Sequence, residues 1–244
     1  MTTDIRLLES EQTIEFDTEY VDSSMFSLIR TTIQRFAMSD QALCLLDVGG
    51  GNGKYADRFL ASYSDAHCTV LEPETYLAGK NRIDARKTVI SDTFQGLTPN
   101  GDFNLIQFNW VLHHFVSDSY KKTCQAQKEG LSKAMELLQP GGLVLIFENF
   151  YDGFMHSDLP SRLIYQATAS TWLKYITKRM GANTAGVGVG FHSESYWTDL
   201  LEEVGFVDIE SMHCYDFGNL TAVKKLLLAI QQQHVGFIVA RKPD

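Results

Sequence analysis

The sequence predicts an α/β protein built on a mostly parallel sheet. A strand-like apolar run, residues 43–46, leads through Gly49, Gly50, Gly51 and Gly53 directly into a helix-like segment. Beyond this turn, short apolar runs alternate with longer amphipathic segments, which is typical of strands joined by crossover helices. At 244 residues the chain is long enough for one such domain with extensions. The pattern predicts one sheet of seven strands, most of them parallel.

Seven apolar runs supply the predicted strands, and they are residues 43–46, 67–71, 86–90, 103–108, 143–147, 206–214 and 234–240. Helices are predicted between them. A long one over residues 118–138 ends at a Pro-Gly-Gly sequence, which stops a helix and turns the chain. Residues 1–40 carry apolar side chains at helical spacing and predict one or two further helices. In that segment Phe16 and Tyr20 are expected either to cover a ligand pocket or to pack against the sheet.

Composition and charge argue against several classes of function. The formal net charge is −9 and no basic run is present, which disfavours a nucleic-acid partner. The four cysteines are scattered, and two lie in predicted strands, so reduced thiols are expected. Neither a leader-like segment nor an apolar run of membrane length is present, so we expect no membrane partner and a cytoplasmic location. The histidines and carboxylates show no metal-ligand spacing, so no metal is predicted.

The glycine-rich turn predicts a ligand site at the end of the first strand. Residues 47–53 read Asp-Val-Gly-Gly-Gly-Asn-Gly. Glycines permit unusual backbone angles and a close approach of a ligand, and the free N–H groups at the helix start face the same crevice. Two patterns fit: the dinucleotide pattern from Gly51 to Ala56, and an acid-x-Gly-x-Gly-x-Gly pattern that begins at Asp47. A tight turn without a ligand is the plainer alternative.

Two acids follow the next two predicted strands. Glu72, together with Pro73, ends the second strand, where a carboxylate can accept both ribose hydroxyls of a nucleotide. Asp92 follows the third strand, and either a ligand contact or a plain helix cap explains it equally well.

The glycine turn resembles that of the class I S-adenosylmethionine-dependent methyltransferases. The resemblance covers residues 43–149 by motif and residues 196–241 more loosely, and it includes the Leu-x-Pro-Gly-Gly sequence before the fifth strand. It implies a Rossmann-like seven-stranded sheet whose last strand is antiparallel, with S-adenosylmethionine as the cofactor and methyl transfer as the reaction. It also implies a set of cofactor-binding residues, which are Asp47, Gly49, Gly51, Gly53, Glu72, Pro73, Asp92, Thr93, Phe94, Asn109 and Trp110.

A second resemblance concerns the turn after the fourth strand. The run Asn-Trp-Val-Leu-His, residues 109–113, is similar to the Lys-Trp-x-Leu-His segment of plant-type small-molecule O-methyltransferases. In that family the histidine is the general base, which implies this role for His113, with His114 or neither as alternatives. An acid after the fifth strand supports the histidine in those enzymes, and Glu148 stands there. Their second supporting acid corresponds to Phe191, so His192 beside it is named as a further catalytic candidate.

The prediction for the whole chain is one domain, residues 1–244, in four parts. An N-terminal helical segment covers residues 1–40 and a cofactor-binding core covers residues 41–150. Residues 151–193 are expected to form a helical cap with a glycine-rich hinge, and residues 194–244 complete the sheet.

The predicted function is methyl transfer to a small-molecule acceptor, with a hydroxyl as the expected target. One alternative is a protein that binds the cofactor without transferring its methyl group, or an enzyme that uses the cofactor as a scaffold. A less favoured one is an NAD-dependent oxidoreductase, because the only Tyr-x-x-x-Lys pair, Tyr76 and Lys80, lies far from the expected hydride site. The acceptor and the oligomeric state are not predicted.

Overall fold

A computed structural model describes most of the chain, namely residues 3–6, 20–38, 42–98, 103–170, 172, 186–218 and 220–244. Phe16 and residues 173–185 of the predicted cap lie outside the described residues.

Seven strands form one sheet, and they are β1 (Cys44–Val48), β2 (His67–Leu71), β3 (Lys87–Ile90), β4 (Phe103–Asn109), β5 (Leu138–Gly153), β6 (Val207–Asp216) and β7 (Ile230–Arg241). Their order is β3-β2-β1-β4-β5-β7-β6. β1 to β5 pair in parallel, whereas β7 runs antiparallel to both of its neighbours. The predicted seven-stranded sheet with an antiparallel last strand is therefore confirmed. The strand order reverses between β1 and β4, which is where open α/β sheets bind ligands.

The described helices are α1 (Ser23–Arg35), α2 (Lys54–Ser62), α3 (Thr75–Ala78), α4 (Tyr120–Leu137), α5 (Leu159–Ala169), α6 (Glu194–Val204) and α7 (Ala222–Leu227). α1 confirms a helix in the N-terminal segment. It begins at Asp22, whose side chain accepts the N–H groups of Ser24 and Met25 and so satisfies donors that a helix start leaves unpaired.

Helices cover both faces of the sheet. On one face α1 and α2 pack against the strands through a cluster that includes Ile29, Ile33 and Phe59. On the other face α4 and α6 do so through Leu131 and Leu201. Each of these side chains is fully buried, and burial of one such group contributes about 1.5–3 kcal/mol. The core thus fixes the strand ends that carry the candidate site.

β5 is much longer than the predicted run of residues 143–147. Leu138 already pairs with Phe103, and a register shift follows before Leu105 pairs with Leu143. Beyond the predicted end, the strand continues to Gly153 along β7, so its last residues belong to the sheet rather than to a cap that begins at residue 151. The acids Glu148 and Asp152 interrupt the apolar pattern of this stretch, which is why the sequence alone ends the strand too early.

The C-terminal elements also differ in length from the prediction. α7 covers Ala222–Leu227, and β7 begins at Ile230, four residues before the predicted run of residues 234–240. All four cysteines are free, which confirms the expectation of unpaired thiols. Among the described residues, no helix is both long and apolar enough to cross a membrane.

Candidate active site

The glycine turn after β1 has left-handed backbone at three positions, with φ of +65° at Gly49, +55° at Gly51 and +74° at Gly53. A Cβ at Gly49 would lie 2.6 Å from a methyl group of Val111, and one at Gly53 would collide with the side chain of Asn81. At Gly51, by contrast, a Cβ would meet no described atom within 4 Å. Packing therefore explains two of these glycines, whereas Gly51 borders open space that a ligand can enter.

Glu72 lies beside this open position. Its Oε2 accepts the N–H of Gly51 at 3.0 Å, and its Oε1 accepts the N–H of Glu74 at 2.8 Å. The residue is 6% exposed, and burial raises the pKa of its carboxyl group above the ordinary value. The structure thus places an oriented carboxylate at the end of β2, next to the turn.

Asp47 lies beneath the turn. The residue is fully buried in β1, and its Oδ2 lies 2.5 Å from the point that a Cβ on Gly50 would occupy. This contact explains why a residue without a side chain stands at Gly50. Asp47 accordingly supports the turn from below, and its contact with a cofactor stays a prediction.

Three further residues of the predicted cofactor-binding set do not share one environment. Asp92 is exposed after β3, and its Oδ1 accepts the N–H of the next residue, Thr93, at 2.6 Å. Phe94 is buried and packs edge-to-face on Phe108 with ring centroids 5.4 Å apart, so it belongs to the core. Pro73, after β2, is exposed. Asp92 and Pro73 remain candidates at the rim of the crevice.

Asn109 and Trp110 lie at the end of β4, on the other side of the turn. The Oδ1 atom of Asn109 accepts from the Nε2 of Gln107 at 2.8 Å. Trp110 has an unusual left-handed φ of +54°, stacks on Phe147 at a centroid distance of 5.9 Å, and donates from Nε1 to Asn149 at 3.0 Å. These contacts hold the indole in place despite the strained backbone.

His113 and Glu148 form a buried pair across the ends of β4 and β5. The His113 Nδ1 lies 2.7 Å from Glu148 Oε2, and the His113 N–H donates to Glu148 Oε1 at 3.2 Å. The two side chains are 8% and 1% exposed. Because a carboxylate accepts the proton on Nδ1, the Nε2 atom is the ring nitrogen that can take up a proton.

Two aromatic rings enclose His113. The ring centroid of His114 lies 4.1 Å away and that of Phe191 lies 4.4 Å away. Burial, together with the neighbouring His113, lowers the pKa of His114 well below its usual value, so that this ring is neutral. The His113 ring is therefore bordered by a neutral histidine on one side and by an apolar phenylalanine ring on the other.

His192, the third catalytic candidate, lies in a separate buried network. Its Nε2 contacts Gln127 Oε1 at 2.9 Å, and its Nδ1 contacts Asp158 Oδ2 at 2.8 Å and Ser161 Oγ at 3.1 Å. The residue is fully buried and stacks on Tyr196 with centroids 3.6 Å apart. Both ring nitrogens are engaged by protein groups, which is the arrangement of a structural histidine.

Sequence reasoning missed two residues that hold the site together. Asn81 donates from Nδ2 to the carbonyl of Gly51 at 2.9 Å and so braces the glycine turn. Gln127 lies on the buried face of α4, and its neighbours on that face are Thr123 and Gly130. Nothing in the pattern around Asn81 indicates its role. For Gln127, however, a polar side chain at a core position of an amphipathic helix was a usable signal.

Open space at Gly51 lies beside the carboxylate of Glu72, and the exposed Asp92 follows the next strand. Acceptors for hydroxyl and amino groups therefore stand at one edge of the sheet. These groups lie near the switch point between β1 and β4, which is where open α/β sheets bind their ligands.

Comparison with known proteins identifies the family. Residues 21–211 match the family model described as a methyltransferase domain, which is most of the chain. The chain therefore belongs to the class I S-adenosylmethionine-dependent methyltransferases, whose cofactor is S-adenosylmethionine. This confirms the resemblance seen in the glycine turn, and it disfavours the oxidoreductase alternative.

Two relatives show the range of the similarity. The chain is 24% identical over 174 residues to a myricetin O-methyltransferase of Catharanthus roseus, a match that covers 71% of this chain and 45% of that protein. It is 28% identical over 144 residues to the ubiquinone/menaquinone biosynthesis C-methyltransferase of Roseobacter denitrificans, which covers 58% of this chain and 53% of that one. The matches thus span about half the length of these relatives.

Solved structures agree on the fold. The N-methyltransferase NodS of Bradyrhizobium japonicum in complex with S-adenosylhomocysteine has a TM-score of 0.57 and 15% identity, with 96% of this chain and 97% of that chain covered. Phosphoethanolamine N-methyltransferase 2 of Haemonchus contortus in complex with S-adenosylmethionine has a TM-score of 0.59 and 16% identity, over 96% of this chain and 56% of that one.

Proposed function

We propose that this chain transfers the methyl group of S-adenosylmethionine to a hydroxyl group of a small aromatic acceptor. In this proposal His113 is the general base and Glu148 holds and supports it. The observation that carries the proposal is the buried pair of His113 Nδ1 and Glu148 Oε2, 2.7 Å apart.

The pair has the chemistry that hydroxyl methylation needs. When bound, the cofactor supplies an activated methyl group on a sulfonium sulfur, so the protein mainly orients the reactants and manages one proton. His113 would take the proton of the acceptor hydroxyl at Nε2. The Glu148 carboxylate would stabilise the imidazolium that forms, because it already accepts the Nδ1–H. Glu148 is itself held by the N–H groups of His113 and Asn149.

Aromatic side chains near the pair support an aromatic acceptor. Phe191 covers one face of His113 and contacts the ring of Tyr151 at a centroid distance of 5.0 Å. On the β4 side, Trp110 contacts the half-exposed ring of Tyr20 at 5.9 Å. Aromatic walls of this kind can bury a flat aromatic ligand, whose orientation is then fixed by a small number of polar groups. Relatives named for methylating myricetin and resveratrol add support for a polyphenol.

The remaining site predictions form part of this proposal. The glycine turn and Glu72 would hold the methionine and ribose parts of the cofactor, and Asp92 would accept the adenine amino group. A protein that binds the cofactor without methyl transfer is not favoured, because the base and its supporting acid stand together at the end of the sheet.

The proposal is tested by incubating the purified chain with S-adenosylmethionine and separate acceptors. The panel holds catechol, a flavonol, an aromatic amine and an aromatic carboxylic acid. Mass spectrometry should detect one added methyl group on the catechol or flavonol oxygen, together with S-adenosylhomocysteine. Methylation of the amine alone, or firm cofactor binding with no methylated product from any acceptor, would contradict it.

A further inference from the structure

A buried glutamine lies between the candidate base and the segment that ends the predicted cap. Gln127 is fully buried on α4, a helix that otherwise packs against the sheet through small and apolar side chains. A buried amide is costly unless its donors and acceptor are all used. In this case each end of the amide has partners.

The nitrogen end of the amide binds two backbone carbonyl groups. Gln127 Nε2 donates to the carbonyl of Gly190 at 2.8 Å and to the carbonyl of Leu112 at 3.3 Å. The two segments also contact each other directly, because the N–H of Gly190 donates to the carbonyl of His113 at 2.9 Å. One side chain therefore fixes the residue before the candidate base and the strand-like segment beside it.

The close approach explains the glycine at position 190. A Cβ there would lie 2.7 Å from Gln127 Nε2 and 2.8 Å from a methyl group of Thr123. The spacing of Gly186, Gly188 and Gly190 resembles a hinge in the sequence, but at Gly190 the absence of a side chain serves packing against α4.

The oxygen end of the amide is fixed by a buried histidine. Gln127 Oε1 accepts from His192 Nε2 at 2.9 Å, and His192 is held in turn by Asp158 and Ser161 at the start of α5. Since both Nε2 contacts of Gln127 are carbonyl oxygens, the orientation of the amide is determined. The contacts therefore run from α5 through His192 to Gln127. From Gln127 they continue to the carbonyls of Leu112 and Gly190, and Gly190 in turn bonds to the backbone of His113.

We propose that Gln127 is a positioning residue for His113: its amide locks residues 112–113 against residue 190 and so fixes the ring of the base. The proposal rests on the proposed role of His113. Proton transfer depends on the placement of the base to within a fraction of an ångström, and residues that touch no reactant determine such placement. Phe191 follows Gly190 directly and covers the His113 ring, so the same anchor also sets that contact.

The test compares Gln127→Leu with Gln125→Leu. Gln125 lies on the same helix, is exposed and bonds only to Glu129 among the contacts resolved for it, so it is a matched control. Hydrogen exchange is followed at the Gly190 amide and over residues 110–116. Methyl transfer to the best acceptor of the panel and affinity for S-adenosylhomocysteine are measured in parallel. Gln127→Glu, which keeps the volume and the acceptor but loses the donors, serves if the leucine variant does not fold.

In the Gln127→Leu variant we expect the Gly190 amide hydrogen to exchange at least about tenfold faster than in the parent. We also expect kcat for methyl transfer to fall by about tenfold or more. Affinity for S-adenosylhomocysteine and the KM for the cofactor should stay unchanged, a split that general loss of structure would not produce. Gln125→Leu should match the parent in every measurement. Unchanged exchange, or faster exchange with an unchanged kcat, would overturn the proposal. If the parent methylates no acceptor, the proposed function fails separately, and the exchange data still show whether Gln127 orders these segments.

Discussion

Glu72 illustrates what can be predicted from one residue and what requires the fold. Its place after the second strand predicts a ribose contact, but only the structure shows that the N–H groups of Gly51 and Glu74 orient its carboxylate. The same holds for His113 and Glu148, which the sequence places at neighbouring strand ends. Their distance of 2.7 Å depends on the registers of β4 and β5. For His192, no local pattern in the sequence reveals that Gln127 and Asp158 contact both of its ring nitrogens.

Acidification should weaken cofactor binding through Glu72. Burial raises the pKa of this carboxyl group, so it becomes protonated at a higher pH than an ordinary glutamate. Protonation removes an acceptor for ribose hydroxyls, and affinity for S-adenosylhomocysteine should fall as pH falls through the raised pKa. Folding stability should respond in the opposite direction, because the native state binds this proton more tightly than the unfolded state does.

Calorimetric titrations between pH 7 and pH 5 measure this effect, with Glu72→Gln as the variant that cannot titrate. Glu72→Ala at pH 7 should weaken binding by about 1.5–3 kcal/mol if charge-assisted hydrogen bonds are lost. If the parent and Glu72→Gln show the same dependence on pH, or the alanine variant binds as tightly as the parent, Glu72 is not part of the cofactor site.

The elements were predicted best where packing and propensity agree. The strands β1 to β4 are short apolar runs between turn residues, and their predicted and observed positions differ by one or two residues at most. β5 was underestimated because its last residues, Glu148 to Gly153, are held by pairing with β7 and not by an apolar pattern of their own. The start of β7, Ile230 to Gln233, was missed for the same reason, since long-range pairing overrides local propensity.

The glycine turn offers a test at the level of an element. At Gly51 an alanine would meet no protein atom but would strain a left-handed backbone, which costs about 1–2 kcal/mol. At Gly50 an alanine would press on Asp47 and on Val70 in the core. We expect Gly51→Ala to lose affinity for S-adenosylhomocysteine with a modest fall in melting temperature, and Gly50→Ala to lose more stability.

Thermal unfolding and calorimetry of the two variants decide this point. If Gly51→Ala binds S-adenosylhomocysteine as the parent does, Gly51 does not border the cofactor and the open space beside it has another use.

The cap prediction concerns the segment between β5 and α6. The described end of its glycine-rich loop is anchored, because the N–H of Gly186 donates to the carbonyl of Thr168 at 2.7 Å and the N–H of Val189 donates to the Thr168 hydroxyl at 3.2 Å. We therefore expect the amides of residues 186–190 to exchange slowly with and without ligand, so that the predicted movement of the cap does not extend to this end. Fast exchange there in the ligand-free protein, with protection after cofactor and acceptor bind, would support a hinge at these glycines instead.

For the molecule as a whole, the glycine turn was the informative feature. Its spacing indicates the family, which the match to a methyltransferase domain confirms, whereas the order of the strands in the sheet was read only from the structure. The acceptor could not be predicted in the same way. The walls proposed for it include Tyr20 and Phe191, which lie far apart in the sequence and contact Trp110 and His113 only in the folded chain.

The central claim is that His113 removes the proton of the acceptor during methyl transfer. Its most direct test is the single-turnover rate of transfer from S-adenosylmethionine to the best phenolic acceptor, measured for the parent and for His113→Ala. His213→Ala is the control, because His213 is about half exposed at 49% and pairs with Asp216 on β6. We predict a rate at least about a hundredfold lower for His113→Ala, with nearly unchanged affinity for S-adenosylhomocysteine, and a parent-like rate for the control. A His113→Ala variant as fast as the parent would contradict the claim and leave the positioning of the reactants as the source of catalysis.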